Sequence, residues 1–204
     1  MGVGSSIEDY LYKDIGSTSN IHGEIGLVNI PTSRILEEGN LKLHLVNSDP
    51  LYSYVIAATP FNWMEVSLRY TDINFLRYSA YYAFSRNQTF KDKSFNLKFR
   101  LIEETEKYPE LSIGFRDPIG TGWFSSEYIV SSKKIGDFDF TVGVGWGSLS
   151  SKDGITNPFI DLSDNFSARS ADVGRGGNIS FENWFSGKKM SSFYGFEYIN
   201  KRSG

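Results

Sequence analysis

Between Asp137 and Gly147 the sequence alternates strictly. Phe138, Phe140, Val142, Val144 and Trp146 share one parity, and Asp137, Asp139, Thr141, Gly143, Gly145 and Gly147 share the other. Successive side chains of a β-strand point to opposite faces, so this stretch has one apolar face and one polar or bare face. A helix would scatter both sets around its circumference. Roughly ten residues is also the length at which a tilted strand crosses a bilayer. A half-buried strand of a soluble sandwich shows the same pattern, so the other strands must decide.

The alternation predicts about ten strands in an antiparallel up-and-down arrangement. They are Glu24–Ile30, Asn40–Asn47, Tyr52–Thr59, Trp63–Thr71, Ser94–Glu104, Leu111–Asp117, Phe124–Lys133, the stretch 137–147, Gly177–Phe185 and Ser192–Ile199. Residues 1–23 form an irregular lead-in, and residues 24–204 a barrel region with long loops near 72–93 and 148–176. In a meander, alternate connections lie at one end. Both long loops then share an end, and the brief turns at Pro60–Asn62, Thr105–Pro109, Lys134–Gly136 and Ser186–Met190 share the other. Long loops on one side and short turns on the other is the transmembrane-barrel pattern.

The expected polar faces carry charges of both signs, among them Arg69, Lys98, Arg100, Arg116, Asp137 and Asp139. A soluble barrel would turn these to solvent, whereas a membrane barrel would turn them into its lumen. Gly114, Gly143, Gly145 and Gly147 on the same face favour the lumen, because missing side chains leave room for long Lys and Arg.

Composition narrows the classes further. With 12 Tyr, 16 Phe and 20 Gly in 204 residues, the chain suits a turn-rich all-β protein with aromatic girdles. A net charge of -3 gives no footprint for nucleic acid. The absence of cysteine removes disulfides, thiolate metal sites and a lipid-modified cysteine from this chain. There is no 18-residue apolar run for a transmembrane helix. Met1 leads into Gly2-Val-Gly-Ser-Ser-Ile-Glu-Asp9 without a secretory signal, and the chain runs out at Tyr198-Ile-Asn-Lys-Arg-Ser-Gly204 without a terminal aromatic strand. An exported barrel with those ends reads as a fragment.

The stretches Gly26-Leu-Val-Asn-Ile-Pro-Thr-Ser-Arg34, Arg69-Tyr-Thr-Asp72, Lys91-Asp-Lys-Ser-Phe-Asn-Leu-Lys-Phe-Arg-Leu101, Gly114-Phe-Arg-Asp117 and Gly136-Asp-Phe-Asp-Phe140 carry a resemblance. With them the chain resembles the YjbH-like family of outer-membrane proteins associated with exopolysaccharide and capsule production. The resemblance covers nearly the whole chain and implies a barrel in the bacterial outer membrane, part of a longer protein. Its implied partners are outer-membrane lipid, polysaccharide and other secretion-system proteins. The family is also described as lipoprotein-like, a feature that a chain without cysteine does not carry over. No catalytic residues come with it.

The remaining motifs give no catalytic or metal site and no cofactor. Gly143-Val-Gly-Trp-Gly147 lies inside a strand and not between a strand and a helix, so it is no phosphate loop. Asp137 and Asp139 read as structural carboxylates paired with Lys133, Lys134 or lumen arginines. Asp161, Asp164 and Asp172 match no calcium-loop spacing. His44 is the one candidate base on a polar strand face, and nothing beside it marks a nucleophile. Tyr52, Tyr54, Tyr70, Trp63, Trp123, Trp146 and Trp184 are girdle candidates, and exposed aromatics also stack on sugars. The reading is a non-enzymatic outer-membrane component of exopolysaccharide export or assembly. The alternatives are a barrel enzyme acting on envelope lipid or polysaccharide, and a soluble barrel holding an apolar ligand.

Overall fold

The computed structural model describes residues 18–120, 122–170, 179 and 181–198. The lead-in before Thr18, Asp172, most of the first half of the expected strand 177–185 and the chain beyond Tyr198 lie outside the described residues.

Alternation along the chain produces one nine-stranded antiparallel sheet. In chain order the strands are β1 (Gly26–Leu27), β2 (Ile30–Pro31), β3 (Leu41–Ser48), β4 (Leu51–Phe61), β5 (Met64–Arg77), β6 (Thr89–Ile102), β7 (Glu110–Arg116), β8 (Ser126–Ile135), β9 (Phe138–Gly145), β10 (Ile155–Thr156) and β11 (Lys189–Tyr198). A single helical turn, α1 (Tyr82–Ser85), sits between β5 and β6. The sheet runs β3 to β9 as an up-and-down meander, with β11 beside β9 and the short β10 beyond it. Long connections (78–88, 117–125 and 146–188) gather at one end, together with the two-residue β3–β4 turn, and the connections 62–63, 103–109 and 136–137 at the other.

Several expectations need correction. The stretch Glu24–Ile30 does not join the main sheet, and β1 and β2 instead pair as a separate two-stranded hairpin. Phe181–Asn183 is a 3-10 turn and not a strand, so Ser186–Met190 is no turn at the short-loop end. The aromatic residues there cap the long connection: Trp184 packs on Phe115 at 4.5 Å, and Phe185 packs edge-on against Trp146 at 5.1 Å. Trp146 is therefore buried in a loop core and not placed in a girdle. The sheet also does not close. Among the described residues β3 and the β10–β11 side remain edges, whereas a closed barrel requires its first and last strands to pair.

The sheet is nonetheless strongly curled. Ile25 donates its backbone N–H to Glu65 on β5, and two residues later Leu27 lies against Gly195 on β11. In a flat sheet β5 and β11 would stand five spacings apart, about 24 Å. Residues i and i+2 are separated by about 7 Å at most. The sheet must wrap around this segment as a trough.

Burial runs opposite to that of a soluble sheet. Along β6, Asp92, Ser94, Asn96 and Lys98 are buried, and along β5 Glu65, Ser67, Arg69 and Thr71 are buried. Leu41, Leu43, Leu45, Tyr54, Ile56, Leu68, Val142, Tyr194 and Phe196 face outward and are exposed. The glycines of the inner face admit aromatic and aliphatic side chains more than lysines: Gly114 receives Tyr128, Gly143 receives Phe193 and Gly145 receives Leu149, while Gly147 alone of the four sits against an arginine, Arg169. A Cβ at Gly114 would overlap the Tyr128 ring. Gly114→Ala is accordingly expected to lower unfolding stability by about 1–3 kcal/mol through overpacking. In a Tyr128→Val background the same change should cost under about 0.5 kcal/mol, read from chemical unfolding midpoints.

Candidate functional site

The candidate site is the charged inner face together with the strap that fills it, residues 18–36. Side chains projecting from β5 to β9 hold the strap. Glu24 is buried and accepts a bidentate pair from Arg116 on β7, with Nε and Nη2 both at 3.0 Å. The Tyr128 hydroxyl on β8 donates to the same carboxylate at 3.4 Å. Lys98 on β6 donates to the Ile25 carbonyl at 3.1 Å and pairs with Glu65 at 3.2 Å. Ser33 donates its N–H to Ser132, and its carbonyl accepts from Ser112 at 2.7 Å. Arg34 forks onto Asp139 on β9 at 2.7 and 2.8 Å and reaches Glu104 at 2.6 Å.

Of the residues expected to face a lumen, Arg69, Lys98 and Arg116 are buried on the inner face. Arg100 is half-buried beside Glu110, at 3.5 Å. Asp139 is half-buried on Arg34, and Lys133 pairs with Glu104 instead. Asp137 lies exposed in the β8–β9 turn, away from the others. His44 is half-buried on β3, and no serine, threonine or acid is hydrogen-bonded to it among the described residues. Asp161 and Asp164 are exposed in separate 3-10 turns. No group of three or more potential ligands is placed to hold a metal among the described residues.

Sequence reasoning missed Glu24, Arg34 and Glu127. Glu24 and Arg34 looked like charges flanking a strand. Glu127 shares the outward parity with Ile129, yet the long connection buries it, where Arg169 clasps it at 2.7 and 2.8 Å.

The electrostatics follow from this packing. Burial opposes ionisation of Glu24, but the charge and hydrogen bonds of Arg116 outweigh it and hold the carboxyl at about 2. Burial, then the positive charges of Arg116 and Arg69, push His22 down to about 2, so its ring is neutral and Nδ1 accepts from Arg69. Asp117, at the mouth of the long-loop end, is raised to about 7 by burial and by the nearby charge of Asp92, against a hydrogen bond from the Gly122 N–H at 2.7 Å.

A raised carboxyl contributes stability below its unfolded value near 3.8, and that contribution is lost as pH rises toward 7. Asp117 has a φ of 51°, a conformation asparagine accepts readily. Asp117→Asn should therefore gain stability over the parent between pH 4 and 7 and hold that lead above pH 7. Thermal melts across this range would show the two curves diverging.

What this arrangement does chemically is bind backbone and balance charge; no nucleophile–base pair appears on the inner face among the described residues. The described residues form an all-β architecture, one antiparallel sheet with an apolar outer face and a strapped, ion-paired inner face. The family described as exopolysaccharide biosynthesis protein YbjH matches residues 18–203. The uncharacterized lipoprotein YjbH of Escherichia coli (strain K12) is 41% identical over 184 residues, covering 90% of this chain and 26% of that relative. The chain belongs to the YjbH exopolysaccharide biosynthesis family. It spans about a quarter of the length of that curated relative. No solved structure matches it.

Proposed function

We propose that this chain is one sector of an outer-membrane β-barrel that serves exopolysaccharide export or assembly without performing chemistry itself. The observation that carries this reading is the inverted burial: exposed Leu43, Leu45, Leu68 and Val142 outside, buried Lys98, Arg116 and Glu65 inside. In water such an outer face would be an extended aggregation surface, whereas in lipid it is the expected face. Aromatic residues mark both ends of the band. Tyr52 and Phe61 lie nine residues apart on β4. That is about 31 Å along a strand and about 23 Å along the axis at a tilt near 40°, close to the height of a lipid-facing band.

The two open edges support a sector and not a complete barrel, because unpaired strand edges are not tolerated in a bilayer core. Further strands of a longer chain would pair with β3 and β11. The long connections then lie outside the cell and the short turns in the periplasm. Partners on this reading are outer-membrane lipid, polysaccharide and other secretion proteins, and no nucleic acid.

The test is fractionation of the intact protein, exported in a Gram-negative host, with unboiled and boiled samples compared by SDS gel. A heat-modifiable band in the outer-membrane fraction is expected. A detergent-free soluble monomer would overturn the reading.

A further inference from the structure

Described residues of the connections after β7 and β9, between 122 and 125, 147 and 152, 169 and 170, and 186 and 189, line an open cleft of about 510 Å³ at the long-loop end, and no strap residue lines it. Lys152, Lys188 and Lys189 line it, and no carboxylate lines it among the described residues. None of these lysines has an ion-pair partner among the described residues. Arg169 also lines the cleft, but the Glu127 carboxylate neutralises it. The described lining of the cleft therefore carries net positive charge.

Its neutral lining suits a polyhydroxylated ligand. Ser148 and Ser150 donate their hydroxyl protons to the carbonyls of Phe124 and Gly147, at 3.0 and 2.7 Å. Their oxygen lone pairs are left to accept from ligand hydroxyls. Trp123 lines the same wall, 37% exposed, and leans on Phe90 at 5.7 Å. A braced, part-exposed indole offers a flat apolar platform for the C–H face of a sugar ring. Gly147, with a φ of 64°, lets the wall turn where a side chain would meet Arg169 and the Ser125 carbonyl.

We infer that this cleft binds a short stretch of acidic, carboxylate-bearing polysaccharide, with Lys152, Lys188 and Lys189 facing the uronate groups and Trp123 stacking on a sugar ring. The volume lies in the range of small-ligand sites and holds about two or three sugar residues. This deepens the proposed function and rests on it, since it assigns the exported glycan a contact at the long-loop end.

The experiment is calorimetric titration of the detergent-solubilised intact protein with trigalacturonate, maltotriose and inorganic phosphate. Trigalacturonate is expected to bind, with affinity falling as salt rises, and maltotriose to bind at least about tenfold more weakly. Lys188→Gln/Lys189→Gln should weaken trigalacturonate about tenfold, and Trp123→Ala should weaken both sugars. Absent binding, equal binding of the two sugars, or an unaffected double variant would each overturn the assignment. Phosphate binding as tightly as trigalacturonate would overturn it too, in favour of a phosphate site such as a lipid headgroup. Heat modifiability of the same samples separates a failure here from a failure of the barrel reading.

Discussion

Replacing Arg116 with methionine is expected to destabilise the folded protein by about 3–5 kcal/mol, the range for leaving a buried charge without its partner. Arg116 and Glu24 are respectively 2% and 3% exposed in side chain, and they join the strap to β7 across 92 positions of sequence. Without the guanidinium, Glu24 retains the Tyr128 hydroxyl and a long contact from Asn20 at 3.4 Å. Neither balances its charge. Glu24→Gln combined with Arg116→Met should recover most of the loss, because both charges then leave together. The pH dependence has a definite sign. A carboxyl held at about 2 contributes stability above its usual value near 4.5, and that contribution is lost as pH falls from 4.5 toward 2. The parent should lose more stability in that window than the double variant, in which other lowered carboxyls such as Glu104 still titrate. Guanidinium unfolding in detergent measures both effects. Single variants within about 1 kcal/mol of the parent would mean that the strap does not hold the trough.

Leu68→Arg should cost about 2–4 kcal/mol when the protein is in a bilayer, as for arginine on the lipid face near the midplane. Leu68 sits mid-strand on β5, between Ile56 and Phe95 in register, and is 57% exposed. On a water-facing surface the same change would fall within about 0.5 kcal/mol. Trp63 provides the depth control. It lies in the β4–β5 turn, stacked on Phe61 at 5.2 Å, where the bilayer interface is expected. Arginine there should cost about 0–1 kcal/mol. Folding titrations into liposomes read both costs, and equal costs at the two depths would contradict a lipid-facing band.

Much of this architecture was legible because alternation is a local signal. The parity of β5, β6, β7 and β9 separates the outward Leu68, Phe99, Ile113 and Val142 from the inward Arg69, Lys98, Arg116 and Thr141. Parity also placed the long connections at one end. The strap was not legible, since the apolar residues Ile25, Leu27, Val28 and Ile30 before Pro31 read as one more strand. It becomes a hairpin through the turn at Val28–Asn29, which pairs Leu27 with Ile30, and partners on distant strands hold it on the inner face, with Gly23, at a φ of 81° against Val55, turning the chain just before it. Arg116 did carry a clue. Its register neighbours are Asn96 and Ser126, so its counter-charge had to come from outside the sheet.

Phe181, Trp184 and Phe185 misled for a related reason, because they are apolar for the sake of a loop core and not a strand face. The cleft at the long-loop end was invisible in sequence, since Trp123, Lys152 and Lys188 meet only through folding of the connections.

The central claim is that the apolar face meets lipid and the charged face meets the strap. This stretch contains no cysteine of its own, and single cysteines at Leu68, Val142 and Tyr194 outward, and at Ser67 and Thr141 inward, introduced with any cysteine elsewhere in the intact protein replaced by serine, carry the nitroxide labels. The measurement is collisional relaxation of these labels in the intact protein in liposomes, by oxygen against a water-soluble nickel chelate. The account predicts that the outward labels relax with oxygen and are shielded from the chelate, while the inward labels are shielded from oxygen. Outward labels relaxed more strongly by the chelate would place that face in water and contradict it.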